Sequence, residues 1–166
     1  MNVMREVAET LQQGEYRPNG CYLVRSTRTG KVLITQSPEE ARINEWAIPQ
    51  GGFDASDSSA EENAYRELGE EANIRPRDIA SVDPDFAHPF IQDFSAERIA
   101  KEVAKGRKFR GKKYFPMLVE YAGEETLDTS SEIENYQWVD IKTAKSLLSQ
   151  NSGKGTSLYG LLSELG

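Results

Sequence analysis

Glu67, Glu70 and Glu71 are three carboxylates within one short stretch of the chain. On a helix, residues three and four apart share a face, so all three acids project together. Carboxylates packed that closely repel one another unless something positive sits among them. A hard divalent cation that prefers oxygen, Mg²⁺ or Mn²⁺, answers that requirement. The flanking residues fit such a site. Trp46-Ala47-Ile48-Pro49 is a short apolar run, and Gly51-Gly52 follows it. Bare glycine backbone there can approach a ligand or offer a carbonyl to a metal. Asp57-Ser58-Ser59, then Glu61 and Glu62, read as a helix start with an acidic first turn. A strand, a glycine loop and an acidic helix together suggest a metal–phosphate site.

Residues 49–74 resemble the signature of the Nudix hydrolases, Gly-x5-Glu-x7-Arg-Glu-apolar-x-Glu-Glu-x-Gly-apolar. Arg66, Glu67, Leu68, Glu70, Glu71 and Ile74 match directly. Two positions depart. Asn73 stands where the pattern has glycine, and asparagine tolerates the left-handed helix cap that position needs. The early glutamate is replaced either by Ser58, counting back from Arg66, or by Asp57, counting forward from Gly51. Asp57 is preferred as the shorter substitute carboxylate.

The resemblance implies an α/β fold, the Nudix-type α/β/α sandwich with a mixed β-sheet, as one domain over residues 1–166. Within it fall an N-terminal helix (1–13), the signature (51–74) and C-terminal helices (141–166). It implies phosphoanhydride hydrolysis with two or three Mg²⁺ or Mn²⁺ ions held by Glu67, Glu70 and Glu71. The Gly51 carbonyl is a further ligand. Arg66 is expected to orient Asp57 or Glu70. Ser130–Val139 resembles a later family element whose loop glutamate faces the metals, which maps to Glu132, with Glu134 as rival. The base that activates water is then Glu70 with Glu132 assisting.

A narrower resemblance lies in Tyr16-Arg17-Pro18-Asn19, Pro49-Gln50-Gly51-Gly52 and Lys112-Lys113-Tyr114-Phe115. These are similar to stretches of the RNA pyrophosphohydrolases and dinucleoside-polyphosphate hydrolases. They make Arg17, Gln50, Arg110, Lys112 and Lys113 candidate substrate contacts. The activity implied is removal of pyrophosphate from 5′-triphosphate RNA. Cleavage of diadenosine tetraphosphate, cleavage of ADP-ribose or an NDP-sugar, and a non-catalytic nucleotide-binding module stand as alternatives. The intact glutamates speak against the last.

The chain has 166 residues and a net charge of −7, which suits one domain with a proper core and excludes a general nucleic-acid footprint. Its bases crowd residues 101–113, a local patch suited to polyphosphate. The single cysteine, Cys21, lies in an apolar alternating run and reads as a core residue. No apolar run has membrane-spanning length and no signal peptide heads the chain, so a cytoplasmic protein is expected.

Periodicity and turn residues predict a hairpin of 21–26 with 31–35, a loop over 36–45 and a strand near 46–48. They predict the signature helix over 59–73 with Ala60, Ala64, Leu68 and Ala72 facing the core. A short strand over 78–83, an aromatic-proline loop over 84–94 and a helix over 95–105 follow. His88 in that loop reads as structural or exposed rather than catalytic; Phe86, Phe90 or Phe94 could stack on a nucleobase, with core packing the first reading for each. Residues 112–121 form the next strand, with Pro116 suggesting an edge or a bulge. Tyr136, Trp138 and Ile133 are candidate core. Helices over 142–150 and 157–165 flank a flexible break at 151–155.

Overall fold

A computed structural model describes residues 2–165. The outer ends of the expected terminal helices, Met1 and Gly166, lie outside the described residues. The first helix, α1 (Val3–Gln13), is capped by the Asn2 side chain and stopped by Gly14 in the left-handed conformation. The chain then enters β1 (Tyr16–Ser26), turns at Gly30 (φ 74°) and returns as β2 (Val32–Gln36).

β1 is the centre of the sheet. One edge pairs in parallel with β6 (Gly111–Tyr121) from Tyr16↔Gly111 to Ser26↔Tyr121. The other edge takes β2 near its C-terminal end and β3 (Gln50–Gly52) near its N-terminal end. β6 divides its free edge likewise between β4 (Ile79–Asp83) and β5 (Phe90–Asp93), and β7 (Asn135–Val139) adds to β2. All pairings except β1–β6 are antiparallel, so the sheet is mixed.

Both faces are covered. Tyr22 and Val24 of β1, with Phe115, Met117 and Val119 of β6, pack on α1 and on α3 (Ala60–Ala72). Cys21 and Leu23, one residue out of phase, pack on α5 (Ile141–Leu148) and α6 (Gly155–Ser163). This is the α/β/α arrangement expected. Ala60, Ala64, Leu68 and Ala72 are buried as one stripe of α3. Ile133 is buried, while Tyr136 and Trp138 are only half-buried against the same core.

Several local expectations change. The 36–45 segment is not all loop: α2 (Pro38–Arg42) forms there, because Ser37 and Glu40 cap each other reciprocally. The strand expected near 46–48 is reduced to one bridge, Ala47 with Thr35, and pairing resumes at β3. The 84–94 segment contains β5, and the final helix begins at Gly155. Pro116 lies neither at an edge nor in a bulge. It faces the gap between the β5 pairing, which ends at Tyr114, and the β4 pairing, which starts at Leu118, so its missing N–H costs no ladder bond there. The last helix of the sheet's open end, α4 (Ala96–Ala104), is capped by Ser95.

Candidate metal and phosphate site

α3 is fixed at both ends. Ser59 caps its start by accepting from the Glu62 amide, and Asn73 (φ 52°, ψ 31°) closes it in the left-handed region. With the Ala/Leu stripe down, Glu67 and Glu71 are turned toward the sheet edge and Glu70 outward; the Glu70 side chain is 59 % exposed.

Arg66 organises the approach to these acids. Its Nε and one terminal nitrogen donate to both oxygens of Asp57, at 3.0 and 2.9 Å. The same fork donates to the Gly52 carbonyl and to Glu67 Oε1, each at 2.9 Å, and passes Glu70 at 3.5 Å. Asp57 is buried and also accepts from the Asp54 amide and Asn63 Nδ2, whereas Ser58 is exposed. Burial alone would raise the Asp57 pKa. The Arg66, Asp54 and Asn63 hydrogen bonds outweigh it and hold the carboxyl below its ordinary value. The inward carboxylate ahead of the helix is therefore Asp57.

Glu71 is the most perturbed acid. Burial, then the Glu67 and Glu132 charges beside it, push its pKa up to about 9. Its Oε2 is buried with no hydrogen-bond partner. Burial also raises Glu67, with Arg66 opposing the shift and Glu70 and Glu132 adding to it. Glu132 thus stands with the cluster, while exposed Glu134 gives its amide to Gln36 at the sheet edge. Among the described residues no three acids are already gathered as a metal cage. The group still fits one. A partnerless buried carboxylate oxygen among three further acids is the donor set of a hard cation.

The glycine pair of β3 joins two chemistries. A Cβ on Gly51 would lie 2.0 Å from the Glu67 carboxyl carbon, so only glycine admits that carboxylate against the backbone. Gly52 faces the opposite side of the sheet, where a Cβ would lie 3.0 Å from an Arg17 guanidinium nitrogen. Arg17 opens a cleft of about 360 Å³ lined by Phe94, Arg98, Glu102, Arg107, Phe109 and Lys112. It adjoins a second cleft of about 730 Å³ that includes Gln50, Tyr114 and Lys154. Another hollow, of about 780 Å³, lies beyond the acids around Asn73 and Arg77.

Lys112 and Arg17 pair in register and share this face. Burial, then the Lys154, Arg98 and Arg17 charges, lower the Lys112 pKa to about 8. Burial likewise lowers Lys154. Its ammonium sits 5.2 Å from the Tyr114 ring, and no salt bridge holds it among the described residues. Lys113, one residue on, points to the other face over Phe115. Arg110 stays at the rim, over the Tyr16 ring and 3.9 Å from Asp93, outside both clefts. Of the three candidate phenylalanines, Phe90 stacks on Tyr114, Phe86 is half-buried against the core, and Phe94 lines the cationic cleft.

Sequence reasoning missed Lys154, Arg98 and Glu102. Lys154 lies in the segment expected to be a flexible break. Asn151 in fact clamps it, accepting from the Gly153 and Lys154 amides while donating to the Trp46 carbonyl. The available signal was a lone lysine between Gly153 and Gly155.

The profile of the NUDIX domain matches residues 16–158. An RNA pyrophosphohydrolase of Erythrobacter litoralis is 28 % identical over 69 % of this chain and 71 % of its own length. One of Xylella fastidiosa is 32 % identical over 76 % of this chain, a match that spans 65 % of that relative. In solved structures, the E. coli dihydroneopterin triphosphate pyrophosphohydrolase superposes with a TM-score of 0.68 at 16 % identity, covering 90 % of this chain and 96 % of that one. The acidic helix, the glycine turn before it and the mixed sheet beneath them are those of a known family: this chain belongs to the NUDIX domain family.

Proposed function

We infer that the protein is a Mg²⁺- or Mn²⁺-dependent pyrophosphohydrolase that removes pyrophosphate from the 5′-triphosphate end of RNA. The observation that carries this reading is the pair Gly51-Gly52. Its two faces touch a cation-seeking carboxylate cluster on one side and a cationic cleft on the other. A phosphoanhydride needs both. The relatives' names point to RNA as the substrate. Residues 1–166 are read as one catalytic domain, and the cytoplasm is the compartment that this substrate implies.

Glu67, Glu70, Glu71 and Glu132, with the Gly51 carbonyl, would hold the metal. When bound, it would polarise the phosphoryl group and neutralise charge on the leaving phosphate. Arg66 keeps Asp57, the Gly52 carbonyl and Glu67 in one rigid frame, so the Glu67 carboxylate is presented rather than searched for. Glu70, the exposed member of the trio Glu67, Glu70 and Glu71, would take a proton from the attacking water, with Glu132 assisting across the cluster. Arg17, Lys112 and Lys154 would grip the phosphates from the other side, with Gln50 beside them. Lys113 reaches them only from the α3 face, and Arg110 only at the rim.

A substrate panel tests the reading. Triphosphorylated RNA, diadenosine tetraphosphate and ADP-ribose are each incubated with wild type and Glu70→Gln in Mg²⁺, and the products quantified. RNA is expected to turn over fastest, with Glu70→Gln reduced by about 10²–10⁴-fold. Preferential turnover of the dinucleotide would move the assignment to the neighbouring branch. Loss of no activity in Glu70→Gln would remove Glu70 from the mechanism.

A further inference from the structure

α4 is docked the wrong way round for an amphipathic helix. Its apolar residues Ala96, Ile99, Ala100, Val103 and Ala104 recur at three- and four-residue spacing and so form one stripe. That stripe should face the protein. Instead Val103 is 62 % exposed, the three alanines are exposed, and Ile99 is only half-buried. The residue that α4 buries is a carboxylate, Glu102, at 8 % exposure.

The surroundings of Glu102 explain this. It is the sole acid lining the cleft formed by Arg17, Phe94, Arg98, Arg107, Phe109 and Lys112. Its oxygens lie 3.7 Å from Arg98 Nε and 3.4 Å from an Arg107 nitrogen, and it acts electrostatically on Lys112. A carboxylate is therefore seated where four cations converge, and the helix leaves its own apolar stripe in water. Attraction to the cations outweighs burial of one valine and a few methyl groups. An anion with more charge than one carboxylate would reverse that balance.

We propose that Glu102 is a built-in competitor for the anionic ligand of this cleft, and that ligand entry displaces it by rolling α4 so that Val103 turns inward. The inference rests on the cleft being the phosphate grip of the reading above, and it deepens that reading. A weakly charged ligand cannot displace Glu102 and is excluded; a polyphosphate can. The residue thus sets the charge a ligand must carry to enter, without touching the bond that is cut. Arg107, which lies beyond the end of α4 and does not roll with it, is released from Glu102 and becomes available to the ligand in the same movement.

Inorganic tripolyphosphate, in the absence of divalent metal, is the probe, so the outcome is independent of turnover. Its affinity is measured by calorimetry for wild type and Glu102→Gln. Glu102→Gln is expected to bind about tenfold more tightly and to lose the preference of wild type for tripolyphosphate over orthophosphate. In a second measurement, an environment-sensitive fluorophore on Val103→Cys in an otherwise wild-type chain is titrated with tripolyphosphate. Its emission is expected to shift to the blue as the position leaves water. Unchanged or weaker binding by Glu102→Gln, or a Val103 probe that does not respond at saturating tripolyphosphate, overturns the proposal. Either result would leave the substrate panel to stand or fall on its own.

Discussion

Glu71 is the residue through which a bound cation would act on the stability of this fold. Its pKa, raised to about 9 by burial and by the Glu67 and Glu132 charges, means the fold holds its proton far more tightly than the unfolded chain does, where the ordinary value is 4.5. Stability from that proton is complete below the ordinary value and is lost as pH rises toward the folded one. Glu67, also raised, has the same sign. Lys112, lowered to about 8, has the opposite sign but acts only above that value. In chelator, thermal stability is therefore expected to fall from about pH 5 to about pH 7.5. Mg²⁺ should restore most of it, because a bound cation replaces the proton. A melting temperature that rises over that range in chelator would contradict this account of Glu71. Asp57 tests the frame beside it. Asp57→Ala leaves the Arg66 fork without its main partner and is expected to cost about 3 kcal/mol, the low end for breaking a buried pair, read from urea unfolding.

The helix α3 was the most legible element, since its stripe, its Ser59 cap and its Asn73 terminus are each local chemistry. Asn73 adopts φ 52° because a helix ending here must turn left-handed, and its side chain also donates to the Asp128 carbonyl. Asn73→Ala should therefore destabilise by about 1–2 kcal/mol, while Asn73→Gly should be close to neutral in the same unfolding assay. The missed elements failed for physical reasons. α2 is too short for periodicity to register, and only its Ser37–Glu40 capping box marks it. β5 lies in a proline-aromatic run and exists because β6 offers it an edge, a tertiary cause. The helical spacing of α4 is visible in the sequence, but its orientation depends on cations contributed by β1, β6 and the 107 segment. Lys154 was hidden for the same reason, since Asn151 and Trp46, distant in sequence, make its loop rigid. The strand alternation that separates Lys112 from Lys113 follows only once β6 is known to be central, with both faces covered.

Across the whole molecule, the long parallel pairing of β1 and β6 sets the geometry. It places Gly51-Gly52 beside the N-terminal part of β1, with α3 on one face and the cationic cleft of Arg17 and Lys112 on the other. Leu68, fully buried on the α3 stripe, anchors the acids to that frame. Leu68→Ala is expected to cost about 2–5 kcal/mol and to weaken metal-dependent activity beyond its effect on the folded fraction, because the helix can then shift. Gly51→Ala should preserve the sheet but expel the Glu67 carboxylate from its seat, lowering metal affinity more than stability. All of this depends on the acids of one helix holding divalent ions against this glycine turn. Anomalous scattering from crystals soaked in Mn²⁺ tests it most directly. Manganese peaks are expected within about 2.3 Å of carboxylate oxygens of Glu67, Glu70 or Glu71. Ordered crystals that bind manganese elsewhere, with those carboxylates bare, would contradict it.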